Sequence, residues 1–308
     1  MFSYIGKRAV KSVVSLFLMT ILIFMLARIG GDPLTRLLPE TATKQDRIEL
    51  ASKLGLDKTL PEQYWDWLRM VSRGDLGKSI LSSRPVVNYM KTFVPNTVEL
   101  AFFGMLLGLL VGLPLGVLAG LKRGRSADVV ARTIAILGQS APLFWVGLML
   151  MYFFAIQWPI FPVLGGGTGL LGTVLPSISL GFYMLPGILR ITRSAMIEAM
   201  DSDFITLARI KGLSEAVVIC KHALRNALIP IVTFSGMYFA ILMSGVVVTE
   251  VVFAWPWLGL MTFKAALGGD YPLLQGLVLL VTAVVIVINL IVDIAYVYID
   301  PRIRYQKR

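Results

Sequence analysis

Long apolar runs separated by shorter polar ones dominate the chain, and that rhythm predicts its architecture. About 20 consecutive apolar residues cross the hydrocarbon core of a bilayer as one helix. Six stretches approach that length: Ala9 to Ala27, Val98 to Leu121, Val129 to Gln157, Val174 to Ile191, Ala227 to Thr249 and Leu273 to Ile299. The fourth is the weakest by this criterion, because Pro176 and Pro186 interrupt it and each removes a helical hydrogen bond. The first follows Lys7, Arg8 and Lys11 and ends in Arg28-Ile29-Gly30-Gly31-Asp32-Pro33 without a small-residue cleavage site, so it reads as a retained span and not as a leader. The expectation is an all-α polytopic membrane protein of about six transmembrane helices.

Two polar segments break the rhythm. Residues 29–94 are mixed in charge and include Tyr64-Trp65-Asp66-Trp67; they predict a small subdomain of helices and turns. Its rings suit either the headgroup level of a bilayer or a local core. The second segment, Glu198 to Asn226, reads as two short helices hinged at Gly212. Asp203 is placed to cap a helix running to about Lys211, because a carboxylate accepts from exposed first-turn amides. Gly212 supplies a left-handed corner, and Ser214 caps a second helix with Glu215 in its first turn. Phe204, Leu207, Ile210, Leu213 and Val217 give the segment an apolar face, while Arg209, Lys211, Lys221 and Arg225 make it cationic. Apolar anchors rimmed by charge describe a protein-docking surface; the alternative is a basic loop held against anionic lipid.

Composition supports the membrane reading: 56% of residues are hydrophobic, 15% are charged and the mean hydropathy is +0.77, outside the soluble globular range. The net charge of +11 does not point to nucleic acid, since the basic residues gather at span ends. They lie in the N-terminus, in the Lys122-Arg123-Gly124-Arg125 turn with Arg132, in the hinged segment with Arg190 and Arg193, and in the C-terminal tail. The short loops of the opposite side hold only Lys264. The positive-inside rule then places both termini and the hinged segment in the cytoplasm and residues 29–94 outside.

Candidate chemistry is sparse. Cys220 and His222 stand alone of their kinds and offer neither a disulfide nor a metal site. Arg73 to Ser79 resembles the end of a phosphate-binding loop, but Ser72 stands where that motif needs glycine, so nucleotide binding by this chain is not expected. Glu250 and Asp293 lie toward the ends of the fifth and sixth spans and read as capping or snorkelling groups. An ion-coupled secondary carrier would want partnered carboxylates near the midplane. An intramembrane enzyme would want a constellation of acid, base and nucleophile. Gly104, Gly108, Gly112 and Gly116 recur every fourth residue, a small-residue face that lets helices approach closely. Gln139, Ser140 and Pro142 interrupt the third span, as Pro186 does the fourth; such residues line a translocation pathway or serve interhelical packing.

The hinged segment carries a resemblance. Ala208-Arg209-x-Lys211-Gly212-Leu213-Ser214 and His222-x-Leu224-Arg225-Asn226-Ala227-Leu228-Ile229-Pro230 resemble the EAA loop of permeases in binding-protein-dependent ABC importers, most of all the peptide (dipeptide, oligopeptide, nickel) branch. Further agreement comes from Gly31-Asp32-Pro33, Gly74-Asp75-Leu76-Gly77-x-Ser79, Pro95-Asn96-Thr97, Arg190-x-x-Arg193-Ser194 and Asp300-Pro301-Arg302-Ile303-Arg304-Tyr305. Thr206 and Leu207 stand where the general consensus has Glu and Ala, and Arg225 stands where a proline falls.

The resemblance implies a type I importer fold and a first (B-like) permease of a bacterial or archaeal cytoplasmic membrane. Its parts would be a tail and first helix (1–28), an external subdomain (29–94), a five-span core (95–297) holding the coupling loop (198–226), and a cytoplasmic tail (298–308). The implied partners are a different, C-like permease, two cytoplasmic ATPases that carry ATP and Mg, an extracytoplasmic binding protein and membrane lipid. The chain itself would bind no cofactor and catalyse nothing. ATPase coupling would fall to Asp203, Phe204, Leu207, Ala208, Arg209, Lys211, Gly212, Leu213 and Ser214. The cargo would be a peptide, with glutathione or a nickel chelate as alternatives.

Overall fold

A computed structural model describes residues 2–29, 34, 38, 41–53, 55–165, 169–255 and 258–299. Gly31-Asp32-Pro33 and the stretch from Asp300 to Tyr305 lie outside the described residues. Helices account for nearly everything described: α1 (Phe2–Ile29), α2 (Lys44–Lys53), α3 (Leu60–Ser72), α4 (Val86–Leu121), α5 (Ser126–Ser140), α6 (Leu143–Gln157), α7 (Leu170–Met200), α8 (Asp203–Ile210), α9 (Glu215–Ser244), α10 (Val247–Val252), α11 (Leu258–Gly268) and α12 (Tyr271–Ile299). Five helices (α1, α4, α7, α9 and α12) are long and apolar enough to cross a membrane, and the pair α5–α6 makes a sixth span if taken together.

That pair is bent by 93°, and the cause is local. Pro142 pushes the preceding residue out of helical geometry, and Ala141 is extended at φ −79°, ψ 122°. Ser140 Oγ turns back to donate to the Ile136 carbonyl at 2.9 Å, a local side-chain bond of the kind that bends helices. The interruption read from the sequence as a flaw in one span is therefore a right-angle corner.

The chain forms two compact units. The first takes the described residues within 1–5, 97–256 and 287–308, and α7 runs through its core. Leu175 packs with Ala155 and Phe253, Leu189 with Ala119, Ala131 and Ala135, and Met196 with Ile205, Ala208, Val218 and Ala223. The span that hydropathy ranks lowest is thus the most enclosed of the candidate spans. Both Pro176 and Pro186 lie buried inside it, where contact with neighbouring helices replaces apolar length as the reason the segment stays helical.

Glycine makes that contact possible. A Cβ on Gly104 would come within 2.9 Å of Leu180 Cβ, on Gly112 within 3.0 Å of Ile188 Cγ2, and on Gly116 within 2.5 Å of Thr192 Cβ and 2.8 Å of the Leu189 carbonyl. The small-residue face of α4 is the seat of α7, and it continues to Gly120, where a Cβ would meet Met196 at 2.6 Å.

One carboxylate departs from expectation. Glu250, in α10, is fully buried beside Thr249 and so is no snorkelling group. The chain leaves α9 at Gly245 (φ 94°) and turns into α10, one side of which, Thr249 and Glu250, is buried. Asp293 lies toward the end of α12, as expected, and is half-buried.

The second unit takes described residues within 6–96 and 257–286, more chain than the subdomain at 29–94. The aromatic stretch divides its labour. Tyr64 and Trp67 pack on Phe24 of α1 at centroid distances of 5.4 and 6.0 Å, and Tyr64 shares a 2.9 Å hydrogen bond with Thr20. Trp65 faces outward beneath the Arg69 guanidinium. Glu62 accepts from the amide and hydroxyl of Thr59 at the start of α3, and those bonds hold its carboxyl below the usual range. The stretch that resembled a phosphate loop is a docked turn: Ser79 Oγ and the Ile80 amide donate to the buried Asp270 carboxylate at 2.5 and 3.0 Å.

The glycine seat yields a first prediction. Gly116→Ala should destabilise the protein by about 1–3 kcal/mol through overpacking, lowering the midpoint of thermal unfolding in detergent. Gly6→Ala, where nothing lies within 4 Å of the added Cβ, should leave that midpoint unchanged or raise it slightly.

Candidate functional site

The hinged segment begins where α7 ends. Asp201 and Ser202 turn the chain, and Ser202 takes the extended N-cap position of α8 (φ −83°, ψ 151°). Asp203 is the first helical residue and not the cap; the Ser202 hydroxyl turns back to the Ala199 carbonyl instead of capping. In the first turn the Asp203 carboxylate still opposes the positive end of the helix macrodipole.

The other end of α8 is closed by glycine. Gly212 sits at φ +74°, the left-handed conformation that costs glycine least. Its amide bonds the Arg209 carbonyl at 2.9 Å, and the Leu213 amide reaches the Ala208 carbonyl at 3.3 Å. These are the paired bonds of a Schellman end. Arg209 then bridges the corner to Glu215 with contacts of 2.8 and 3.3 Å, and that carboxylate raises the guanidinium above its ordinary value.

The second half of the segment differs from expectation. Ser214 holds the extended N-cap conformation (φ −63°, ψ 146°) without a side-chain capping bond. The helix it opens is not short; it is the start of α9 and continues to Ser244. A π-helical stretch at Val218–Ala223 lies between. The residues buried in this part of α9 are Val218, Ala223, Ala227 and Ile231, spaced five, four and four apart. An i→i+5 turn is what keeps the first of them on the same face as the rest.

Two faces of α8 result. Ile205 and Ala208 are buried, packed with Ala195, Met196 and Ala199 of α7 and with Val218, Ala223, Ala227 and Ile231 of α9. Phe204, Leu207, Ile210, Leu213 and Val217 remain 36–77% exposed. A groove of about 350 Å³ opens there between Phe204, Leu207, Lys211 and Leu213 on one side and His222 and Asn226 on the other. A second, of about 290 Å³, runs from Phe204 to Glu198, Asn226 and Pro230. Clustered apolar exposure on a well-seated helix is the mark of an interaction surface. Ala208 supports that surface from below, whereas Phe204, Leu207 and Leu213 form it. Cys220 is exposed and His222 lines the first groove.

The residues proposed from sequence for a pathway separate as well. Gln139, Ser140 and Pro142 are exposed at the α5–α6 corner. Pro186 is buried and lies against Gly138, whose added Cβ would meet Pro186 Cγ at 3.0 Å; it shapes the corner instead of opening onto space. Arg190 and Arg193, grouped by sequence with the loop, belong to α7. Arg193 turns inward to Asp128, while Arg190 is exposed in line with Tyr183, Ser194 and Glu198. Tyr183 faces Tyr238 across 6.3 Å, and Tyr238 meets Phe234 in a tilted ring contact at 4.5 Å. The spacing 183, 190, 194, 198 follows one helical face, a signal available in the sequence that the proline-based reading of this span passed over.

Comparison with known proteins completes the description. Residues 112–305 match the family described as "Binding-protein-dependent transport system inner membrane component". Residues 1–101 match the N-terminal family of the same membrane components. The chain is 38% identical over 336 residues to the di/tripeptide transport system permease protein DppB of Pseudomonas aeruginosa, with all of both chains covered. It is 37% identical to the probable peptide ABC transporter permease protein y4tP of Sinorhizobium fredii, covering 98% of this chain and 99% of that one. To the glutathione transport system permease protein GsiC of Escherichia coli it is 35% identical, covering 99% and 100%. A solved chain of the MetNI methionine ABC transporter in an inward-facing conformation matches with a TM-score of 0.56 at 19% identity, covering 69% of this chain and 96% of that one.

The buried face of α8 generates a second prediction. Ala208→Leu, which forces three more heavy atoms into a close-packed seat, should loosen α8 and speed amide hydrogen exchange across Asp203–Ile210 by at least about tenfold, given the usual overpacking cost. Leu207→Ala on the exposed face should leave exchange in that segment unchanged.

Proposed function

The chain belongs to the inner membrane components of binding-protein-dependent transport systems, multi-pass permease subunits of ATP-driven importers, and we propose that it carries peptides and takes its energy through α8. The peptide assignment is supported by full-length similarity to relatives named for peptides and di/tripeptides. A glutathione-type cargo is the second reading, favoured by the similarity to GsiC. In this reading the α8 end of the protein faces the cytoplasm with both termini, and residues 29–94 face outward toward a binding protein.

The observation that carries the mechanism is the division of α8 into a seated face and an offered one. Ile205 and Ala208 tie it to α7 and α9, so a push on α8 moves spans and not merely a loop. Phe204, Leu207, Leu213 and the neighbouring Ile210 insert into a partner ATPase. Lys211 supplies rim charge, and Arg209 is already engaged by Glu215. Asp203 and Ser214 shape the two helix starts, and Gly212 sets the angle between them. ATP and Mg belong to two ATPase subunits, and the permease catalyses nothing itself. Closure of the ATPases would draw the coupling helices of this chain and of a second, C-like permease together. Between the permeases the pathway would be lined by the uncovered face of α7, with Tyr183 and Arg190, and by Gln139, Ser140 and Pro142 at the corner.

Ile210→Asp is the direct test. Ile210 is 77% exposed, so the substitution should change stability by less than about 0.5 kcal/mol, while ATPase co-purification and peptide uptake fall at least about tenfold, as for a desolvated interface anchor. Full association and uptake would remove α8 from the coupling role. Gly212→Val, which tolerates the left-handed corner poorly, should leave the subunits associated but reduce peptide taken up per ATP hydrolysed. Uptake that persists in membranes lacking any ATPase would instead favour an ion-coupled carrier.

A further inference from the structure

We propose that Asp128 and Arg193 are positioning residues for energy coupling, a two-pronged ion pair that passes displacement of α8 to the α5–α6 corner. Asp128 lies in the first turn of α5 and is 1% exposed. Its Oδ1 accepts from Arg193 Nε at 2.5 Å, and its Oδ2 accepts from Arg193 Nη2 at 2.9 Å and from the Gly124 amide at 2.9 Å. Arg132, one turn on, adds a contact at 3.4 Å. The carboxylate therefore joins the 122–125 turn, α5 and α7 at one point. Asp201, beside the start of α8, meets Arg123 of the same turn at 3.2 Å, but that pair is exposed and contributes little.

Position gives the buried pair its role. Arg193 stands one turn before Met196 and two before Ala199, the α7 residues on which Ile205 and Ala208 are seated. With Asp128 in its first turn, α5 is a 15-residue rod of about 22 Å that ends at the 93° corner. Apolar contacts between α5 and α7, such as Ala131 and Ala135 on Leu189, tolerate sliding. A forked guanidinium–carboxylate pair does not, because both bonds are lost together when the planes rotate or part. A buried ion pair is seldom a gain in stability over apolar packing, so directional restraint is the better account of its presence. The inference rests on the reading of α8 as the ATPase contact.

Three variants of the assembled importer in membranes test it: Asp128→Asn, Arg193→Lys and Ile210→Asp, each compared at matched amounts of complex. Arg193→Lys decides the matter, since it keeps the charge that balances buried Asp128 but loses the fork. The expected result is normal ATPase association and hydrolysis with the ATP consumed per peptide accumulated raised about tenfold, within the range of coupling free energies between sites. Asp128→Asn should do the same or more. If Arg193→Lys couples like the unmodified protein, the pair serves charge balance alone and the inference is overturned, even should Asp128→Asn fail to accumulate. Failure of the underlying reading is distinguishable, because then Ile210→Asp retains its ATPase.

Discussion

The close approach of α4 and α7 is the constraint on which the first unit depends. Lipid tails are as apolar as leucine side chains, so helices in a bilayer gain nothing from apolarity alone when they meet; they gain from fit. Gly104, Gly108, Gly112, Gly116 and Gly120 provide that fit by leaving out the Cβ atoms that Leu180, Met184, Ile188, Thr192 and Met196 would otherwise strike. With α7 seated, its remaining sides receive α5, α6, α9 and α10, and its last turns extend beyond the glycine seat to carry α8. At 31 residues α7 spans about 46 Å, more than the ~30 Å hydrocarbon core needs. One helix thus serves as both membrane span and pedestal.

Under the proposed coupling through α8, that double use would let the permease respond to an ATPase it does not covalently join. A docking helix tethered by loops would absorb a push in its tethers. Here the connection from α7 to α8 is a two-residue turn at Asp201 and Ser202, the corner after α8 is locked by the two bonds around Gly212, and the next residues already belong to α9. Buried Ile205 and Ala208 remove the remaining slack. In the proposed mechanism this arrangement would pass motion to α7 and α9 together, and the residues proposed for the pathway stand on α7 and on the α5–α6 corner packed against Pro186.

Much of this was legible in the sequence, for physical reasons that can be named. Apolar length located the spans, the four-residue glycine period located a packing face, and Gly212 announced its own corner because few other residues take a positive φ cheaply. What stayed hidden depended on tertiary context. Hydropathy undervalued α7, since helix–helix contact and not apolar length holds Pro176 and Pro186. The second loop helix is longer than its capping residues suggest, because Ser214 and Glu215 mark where it starts and carry no signal of its continuation into α9. Glu250 was placed at a membrane edge because the turn after Gly245 has no hydropathic signature. Asp128 carries no signal of its own; a carboxylate beside a basic turn reads as a solvated charge until its partner, far along the chain, is known.

The central claim, that the exposed face of α8 contacts an ATPase, is most directly tested by site-specific cross-linking in the assembled importer. Cys220 is the lone cysteine of the sequence and is exposed, so a Cys220→Ser background leaves single introduced thiols. Ile210→Cys should cross-link to the ATPase subunit with a short bifunctional maleimide, and the yield should change with ATP, while Glu49→Cys in the second unit should not cross-link to it. Absence of an ATPase adduct at Ile210→Cys, in a complex shown to transport peptide, would contradict the account.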